Sequence, residues 1–326
     1  CSLLPKKDSD ADDGKQAVAA DTRSVGDAFT LEVRGPGDVR DYLALHLEIQ
    51  RYSKIADLGA TELSRLMVAA EANARELLGT LGYFTPTLTL ELNETPGGKA
   101  PRQVVVTVDP GPPTRIGAVD IGFRGAIAND PSAAAQREAI RSAWTLRTGQ
   151  LFTQQAWDNA KTVGLRSLTA KRYATGSVAT SRAEIDADKS EAKLGVAYDS
   201  GPAYRFGPLD VRGVERYSAD GTRRIARIPT GADYDQQKLL DAQQRLASSG
   251  YYDSVFLTLD TEGTDPQAAP VIAQVREAPL QKVVAGVGFT TDSGPRVSLD
   301  HVHNQMPLLG WRAVSKLSID QKTQSL

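Results

Sequence analysis

The apolar positions of this chain change period in a set order, and the order recurs. In "FTLEVRG" (Phe29–Gly35), Leu31 and Val33 fall on one face, which predicts a short strand. Val39–Gln50 then carries Tyr42, Leu43, Leu45, Leu47 and Ile49 and predicts a helix. A second helix opens at "GATELSRL" with Thr61 as N-cap. It runs to Leu81 with Leu63, Leu66, Met67, Ala70, Ala74, Leu77 and Leu78 at helical spacing, and Gly82 stops it. Two alternating stretches follow, Leu88/Leu90/Leu92 and Val104/Val106/Val108, separated by the turn "NETPGGKAP". The order is strand, helix, helix, strand, strand.

The same order returns twice. "RIGAVDIGF" predicts a strand, Ser132–Trp144 a helix, and "FTQQAWDNAKTVGLRSLTAKRY" a second helix capped by Thr153. Strands near Ser177–Ile185 and Ala192–Tyr198 complete the second copy. The third begins at "RFGPLDVRGV". It passes a weaker helix around "SADGTRRIARI" and a stronger one, "DYDQQKLLDAQQRLASSG", with Leu239, Leu240 and Leu246 inward, and ends in "VFLTLD" and "PVIAQVRE". Tyr83, Tyr173 and Tyr251 recur where each long helix gives way to the next strand, as plugs for a helix–sheet core.

Repetition extends to the joints. "DPGPPTRIGAVDI" (Asp109–Ile121) and "DSGPAYRFGPLDV" (Asp199–Val211) align without a gap, with six of thirteen positions identical. One strand ends at Asp, a Gly-Pro step turns the chain, and the next strand starts at once. Gly supplies unusual dihedrals and Pro stiffens the turn. Gly111, Pro112, Arg115 and Gly117 mark the first joint, and Gly201, Pro202, Arg205 and Gly207 the second.

The 38 Lys+Arg against 40 Asp+Glu give no basic surface for nucleic acid, and 24% charged with 40% hydrophobic residues reads as globular. The one cysteine is Cys1, so an internal disulfide is excluded. A chain opening on Cys-Ser, followed by the polar and aperiodic "PKKDSDADDGKQAVAADTRSVGDA", looks like a bacterial lipoprotein after removal of its signal peptide. Cys1 is then a candidate lipidation site on a tether of residues 1–27.

Catalytic signatures are missing. His301 and His303 alternate on one strand, but only His46 remains besides them and no acidic cluster joins them. "DSDADDG" has its Gly one place late for a calcium loop and no closing Glu. "GVGFTT" lacks the last glycine of a dinucleotide fingerprint. The expectation is a protein that is not an enzyme, with no catalytic residue, metal or cofactor.

Tandem units of this order, with "GP-x-x-R-[IF]-G" joints and "GYF" or "GYY" at a helix end, resemble the POTRA domain of the BamA/TamA superfamily of outer-membrane assembly factors. The resemblance covers roughly residues 28–281, and three units rather than five point to its TamA family. It implies an α+β fold of three tandem POTRA domains, at 28–114, 115–203 and 204–281, followed by the first strands of an outer-membrane β-barrel at 282–326. In that tail Val283, Ala285, Val287 and Phe289 alternate, "RVSLDHV" follows a "TDSGP" turn, and Trp311, Ala313, Ser315 and Leu317 alternate again. So few strands cannot close a barrel.

The resemblance further implies that the second strand of each unit lies at a sheet edge, open to strand addition. These strands span about Thr85–Asn93, Ser177–Asp186 and Asp253–Thr261, with Leu88, Leu90, Leu92, Val178, Thr180, Arg182, Val255, Leu257 and Leu259 as marker positions; Pro86 suits an edge. The implied partners are nascent outer-membrane or autotransporter proteins, a TamB-like inner-membrane partner, and outer-membrane lipid through the barrel. The implied location is the cell outer membrane, with this region facing the periplasm. Two rival readings are a lipid-anchored periplasmic scaffold without a barrel, which Cys1 favours, and a two-partner secretion transporter.

Overall fold

A computed structural model describes residues 27–55, 57–290, 294–304, 312–320 and 324–325. Cys1, the tether up to residue 26, and Trp311 lie outside the described residues. The chain falls into two compact bodies, residues 1–112 and 113–326.

The first body holds β1 (Thr30–Arg34), α1 (Gly37–His46), α2 (Ala60–Thr80), β2 (Thr87–Glu94) and β3 (Arg102–Asp109). Its sheet order is β1-β3-β2, with β3 central, parallel to β1 and antiparallel to β2. A parallel partner requires a crossover, and the two helices supply it, packing on one face of the sheet. Leu43, Leu63 and Leu78 meet Val33, Val104 and Val106 in the core.

The expected helix over 39–50 stops earlier. Leu47 turns extended, and a short 3-10 turn (Glu48–Tyr52) follows, so Leu47 and Ile49 both reach the core while Leu45 is 77% exposed. Thr61 is not the N-cap of α2. Gly59 holds that position without a side-chain bond, and Thr61 falls in the first turn. At the other end Gly82 adopts φ +91° and the Tyr83 amide bonds the Leu78 carbonyl, a left-handed termination.

The second body repeats the plan and repeats it again. Its first sheet has the order β4-β6-β5 (Arg115–Arg124, Glu191–Asp199, Ser177–Asp186), with α3 (Ala126–Asn129), α4 (Ala134–Ser142) and α5 (Gln154–Thr169) in the crossover. The expected helix over Ser132–Trp144 is shorter: its first two residues belong to a 3-10 turn (Pro131–Ala133) capped by Asp130, and the α-helix covers only 134–142. Thr153 does cap α5, accepting from the Ala156 amide.

A third sheet of order β7-β9-β8 (Phe206–Arg212, Ala269–Glu277, Tyr252–Leu259) carries α6 (Ala219–Ala226) and α7 (Gln236–Ser248). Leu239 and Leu246, seven apart, share a face and are buried there, but Leu240 points outward, because adjacent helical positions do not face the same way. A fourth sheet runs in chain order as an antiparallel meander: β10 (Gln281–Thr290), β11 (Gly294–His303), β12 (Ala313–Asp320) and β13 (Gln324–Ser325). Among the described residues it does not close on itself, and no helix is long and apolar enough to cross a membrane.

Candidate functional site

The first Asp, the first Gly and the Arg of the duplicated phrase have the same tasks at both joints. Asp109 Oδ1 accepts from the Gly111 amide at 3.1 Å, and Asp199 Oδ1 from the Gly201 amide at 2.9 Å, two Asx turns. Both glycines are left-handed, φ +70° and +60°, and a Cβ on either would press on Thr85 or Thr175. The arginines then fasten a loop. Arg115 Nη1 donates to the Gly149 carbonyl (2.9 Å), and Arg205 Nη1 to the Gly231 carbonyl (3.2 Å).

Backbone bonds complete the strap in matching pairs. The Ile116 amide bonds Gln150 O and the Phe206 amide Ala232 O, each at 2.9 Å, while Gly149 and Gly231 return bonds of 2.7 Å to Ile116 O and Phe206 O. Ile116 and Phe206 are buried core residues. Gly117 and Gly207 lie at register shifts in β4 and β7, and a Cβ on Gly207 would collide with the Ala268 carbonyl. Pro112 and Pro202 complete the two Gly-Pro steps.

Arg172 was not singled out from the sequence. It occupies the helix-end position that Gly82 and Gly250 fill in the other two copies, and all three have positive φ (+63°, +91° and +78°). A left-handed arginine costs about 1–2 kcal/mol of backbone energy relative to the right-handed form. Its contacts offset this. Its backbone bonds the third repeat, from its amide to Tyr234 O (2.8 Å) and from the Tyr204 amide to its carbonyl (2.6 Å). Its guanidinium donates to Asp130 Oδ2 (2.9 Å) and Ser132 Oγ (3.0 Å) and lies 3.6 Å from Asp233. Bonds from the Ser132 hydroxyl and amide, and then from Arg172, hold the Asp130 carboxyl below its usual range. The signal in the sequence was the departure itself, "KRY" where the other copies read "LGY" and "SGY".

Arg172→Gly removes the side chain while making the backbone conformation cheap. The expected result is a broadened distance distribution between spin labels on the second and third repeats, with helical content unchanged and Cys1 replaced by serine. An unchanged distribution would mean that the backbone bonds alone hold the joint.

The sheet-edge positions divide. Leu88 and Leu90 on β2 are half-buried against α2 and Leu92 is more exposed; β2 is an edge strand. On β8, also an edge, Val255, Leu257 and Leu259 face the core together. On β5, an edge strand too, Val178, Thr180 and Arg182 do not share a face. The register shifts between Val178 and Thr180, so Val178, Ala183 and Ile185 turn inward while Thr180 and Arg182 face solvent. One extra residue in a period-two strand reverses every position after it.

The C-terminal meander is two-faced. Val283, Ala285, Val287 and Phe289 pair with His301, Leu299, Val297 and Pro295, and Leu317 and Ile319 continue that face on β12. Val287 is 87% and Phe289 76% exposed. The opposite face is mixed: it carries Lys282, Asp300, Lys316, Ser298 and Ser318 with Gly286 and Gly288, and also Val284, Val302 and Val314. His301 and His303 have ring centroids 6.4 Å apart, and among the described residues no three metal-ligating side chains converge.

Residues 204–278 match the family model described as POTRA, surface antigen variable number repeat. The third repeat is thus similar to a POTRA domain. The first two repeats share its sheet order and its crossover helices. The chain is also similar to the crystal structure of Haemophilus ducreyi BamA lacking POTRA domains 1–3, at TM-score 0.50 and 16% identity, over 63% of this chain and 37% of that one. It thus spans little more than a third of that structure, and the likeness is one of fold. Haemophilus influenzae BamA POTRA3-5 matches at TM-score 0.44 and 16% identity over 77% of this chain and 96% of that one. CdiB from Escherichia coli matches at 0.32 and 13% over 79% and 43%.

Proposed function

We propose that the chain is the periplasmic POTRA region of an outer-membrane protein assembly or translocation factor, one that does no catalysis and uses no metal or cofactor. It receives extended segments of nascent outer-membrane or autotransporter proteins by strand addition and passes them toward a β-barrel that opens with β10–β12. The TamA family, with a TamB-like inner-membrane partner, is the finer assignment that three repeats favour. The observation that carries the reading is the C-terminal sheet. A solvated sheet with Val287 and Phe289 bare on one face is unfavourable in water, whereas an apolar face opposite one that carries Lys282, Asp300 and Lys316 suits a strand wall between lipid and lumen. The edges β2, β5 and β8 supply unpaired backbone groups, which bind an extended chain with little regard to its sequence.

Two measurements test this. The intact mass of the native protein from membranes is expected to exceed 35 kDa by a barrel's worth of strands. A mass near 35 kDa plus acyl chains on Cys1 would leave a lipid-anchored scaffold. Photo-cross-linkers at Thr180 and Phe256, on exposed edge strands, are expected to trap an unfolded outer-membrane protein, while one at Glu138 on α4 traps none. Equal labelling at all three positions would sink strand addition.

A further inference from the structure

The third repeat has a cleft that the edge strands do not use. It opens between α6 and α7, has a volume of about 550 Å³, and is walled by Arg224, Arg227 and Arg245 over Ile225, Tyr217 and Tyr251. That size is in the roughly 300–1,000 Å³ range of ligand pockets. No carboxylate lines it. Arg245 is fixed, its guanidinium donating twice to the Ala226 carbonyl at the end of α6 (2.7 and 3.3 Å). Arg224 and Arg227 are exposed and make no ion pair among the described residues, unlike their neighbour Arg223, which pairs with Asp220 and bonds Leu209 O.

Two further features point the same way. Arg227 ends α6 in the left-handed conformation, φ +51°, where a glycine would be cheaper, and its backbone position contributes only the helix-closing bond to Arg223 O. Tyr217 stacks edge-on against Tyr251 (5.2 Å between centroids), and its hydroxyl is closed to solvent without a hydrogen-bond partner. A cleft with two unpaired guanidinia on its wall and no carboxylate in its lining is a site short of acceptors.

We propose that this cleft binds an acidic peptide segment of a partner protein, its carboxylates on Arg224 and Arg227 and an adjoining aromatic or aliphatic side chain on Ile225 and the tyrosine rings. Charge complementarity selects that occupant: the cleft offers cations and apolar rings and no anion. The site uses helix faces, so it stands apart from strand addition and from whether a barrel follows.

The test is fluorescence anisotropy with the full chain and a labelled peptide of the pattern Asp-Glu-Phe-Asp-Glu-Leu. Affinity is expected to fall about tenfold or more in R224Q/R227G and on replacing the peptide's acids by Asn and Gln, and to weaken with salt. The glycine at 227 suits the backbone, so the double variant is expected to keep its melting temperature; should it not fold, R224Q carries the test alone. Equal binding by the variant, equal binding of the amide peptide, or no binding by the wild type up to ~1 mM would overturn the proposal. So would binding of phosphatidylglycerol vesicles, lost in the variant, with none of the peptide.

Discussion

Replacing Glu277 by alanine is expected to cost the second body about 3 kcal/mol of stability at neutral pH. Glu277 ends β9, and its side chain is 6% exposed. Its Oε1 accepts from the amides of Glu215, Arg216 and Tyr217, each at 2.9 Å, and its Oε2 from Arg216 Nε at 2.9 Å. Burial alone would push the carboxyl up. The Tyr217 amide, the Arg216 guanidinium and the two other amides outweigh it and hold the pKa at about 2, from an ordinary 4.5. That difference corresponds to about 3 kcal/mol for the charged form. Because the folded value is depressed, this stability is present above about pH 4.5 and is lost as pH falls toward 2. Urea denaturation of wild type and Glu277→Ala at pH 7, 4 and 2 should therefore show a gap that is wide, then narrower, then closed. A gap independent of pH would mean that packing, not charge, is what the carboxylate supplies.

The same residue steers the chain into the C-terminal sheet. Immediately after Glu277 the Ala278 amide bonds Tyr251 O, and Arg216 Nη2 donates to Ala278 O. Asn304 holds the next two residues, from Nδ2 to Pro279 O and from its amide to Leu280 O. A carboxylate bound by three consecutive amides fixes the loop after β7 to the exit of β9. Loss of Glu277 should thus loosen the orientation of β10 against the third repeat as well as destabilise the fold.

What the sequence made legible was whatever depends on short-range order. Period changes announced the three strands and two main helices of each repeat, and "DPG" and "DSG" announced the turns, because an Asx turn and a left-handed glycine are decided within three residues. The break in α1 was hidden, since Leu47 leaves the helix to bring itself and Ile49 into a core built by residues far away. The β5 bulge was hidden for a like reason: nothing in "SVATSRAEI" marks an extra residue, and only pairing with β6 reveals it. Glu277 read as an ordinary polar residue at a strand end, because its partners lie about 60 positions earlier. The Arg–Tyr cleft on α6 and α7 combines two segments whose separate patterns gave only amphipathic helices.

Gly164→Ala shows how a local rule reverses sign once packing is known. In an exposed helix interior the change stabilises by about 1 kcal/mol; here it is expected to destabilise by about 2–3 kcal/mol. Gly164 is buried in α5, and a Cβ there would fall 2.1 Å from the Tyr198 hydroxyl and 2.7 Å from its Cζ. Tyr198 cannot retreat easily. It is fully buried on β6, and its hydroxyl donates to the Lys161 carbonyl at 2.9 Å. Moving the ring would strand that hydroxyl in a site where burial already drives its pKa up. The first repeat solves the same contact differently, with Ala74 and Val108 at the corresponding positions, both buried. A smaller sheet residue there leaves room for the helix Cβ. In a Tyr198→Phe background the worst contact disappears while the one to Cζ remains, so the cost of Gly164→Ala should fall by about 1 kcal/mol. Thermal and urea unfolding of the four proteins in this cycle measures the coupling. Strict additivity would mean that the helix shifts away as a body and the ring contact is not what requires glycine.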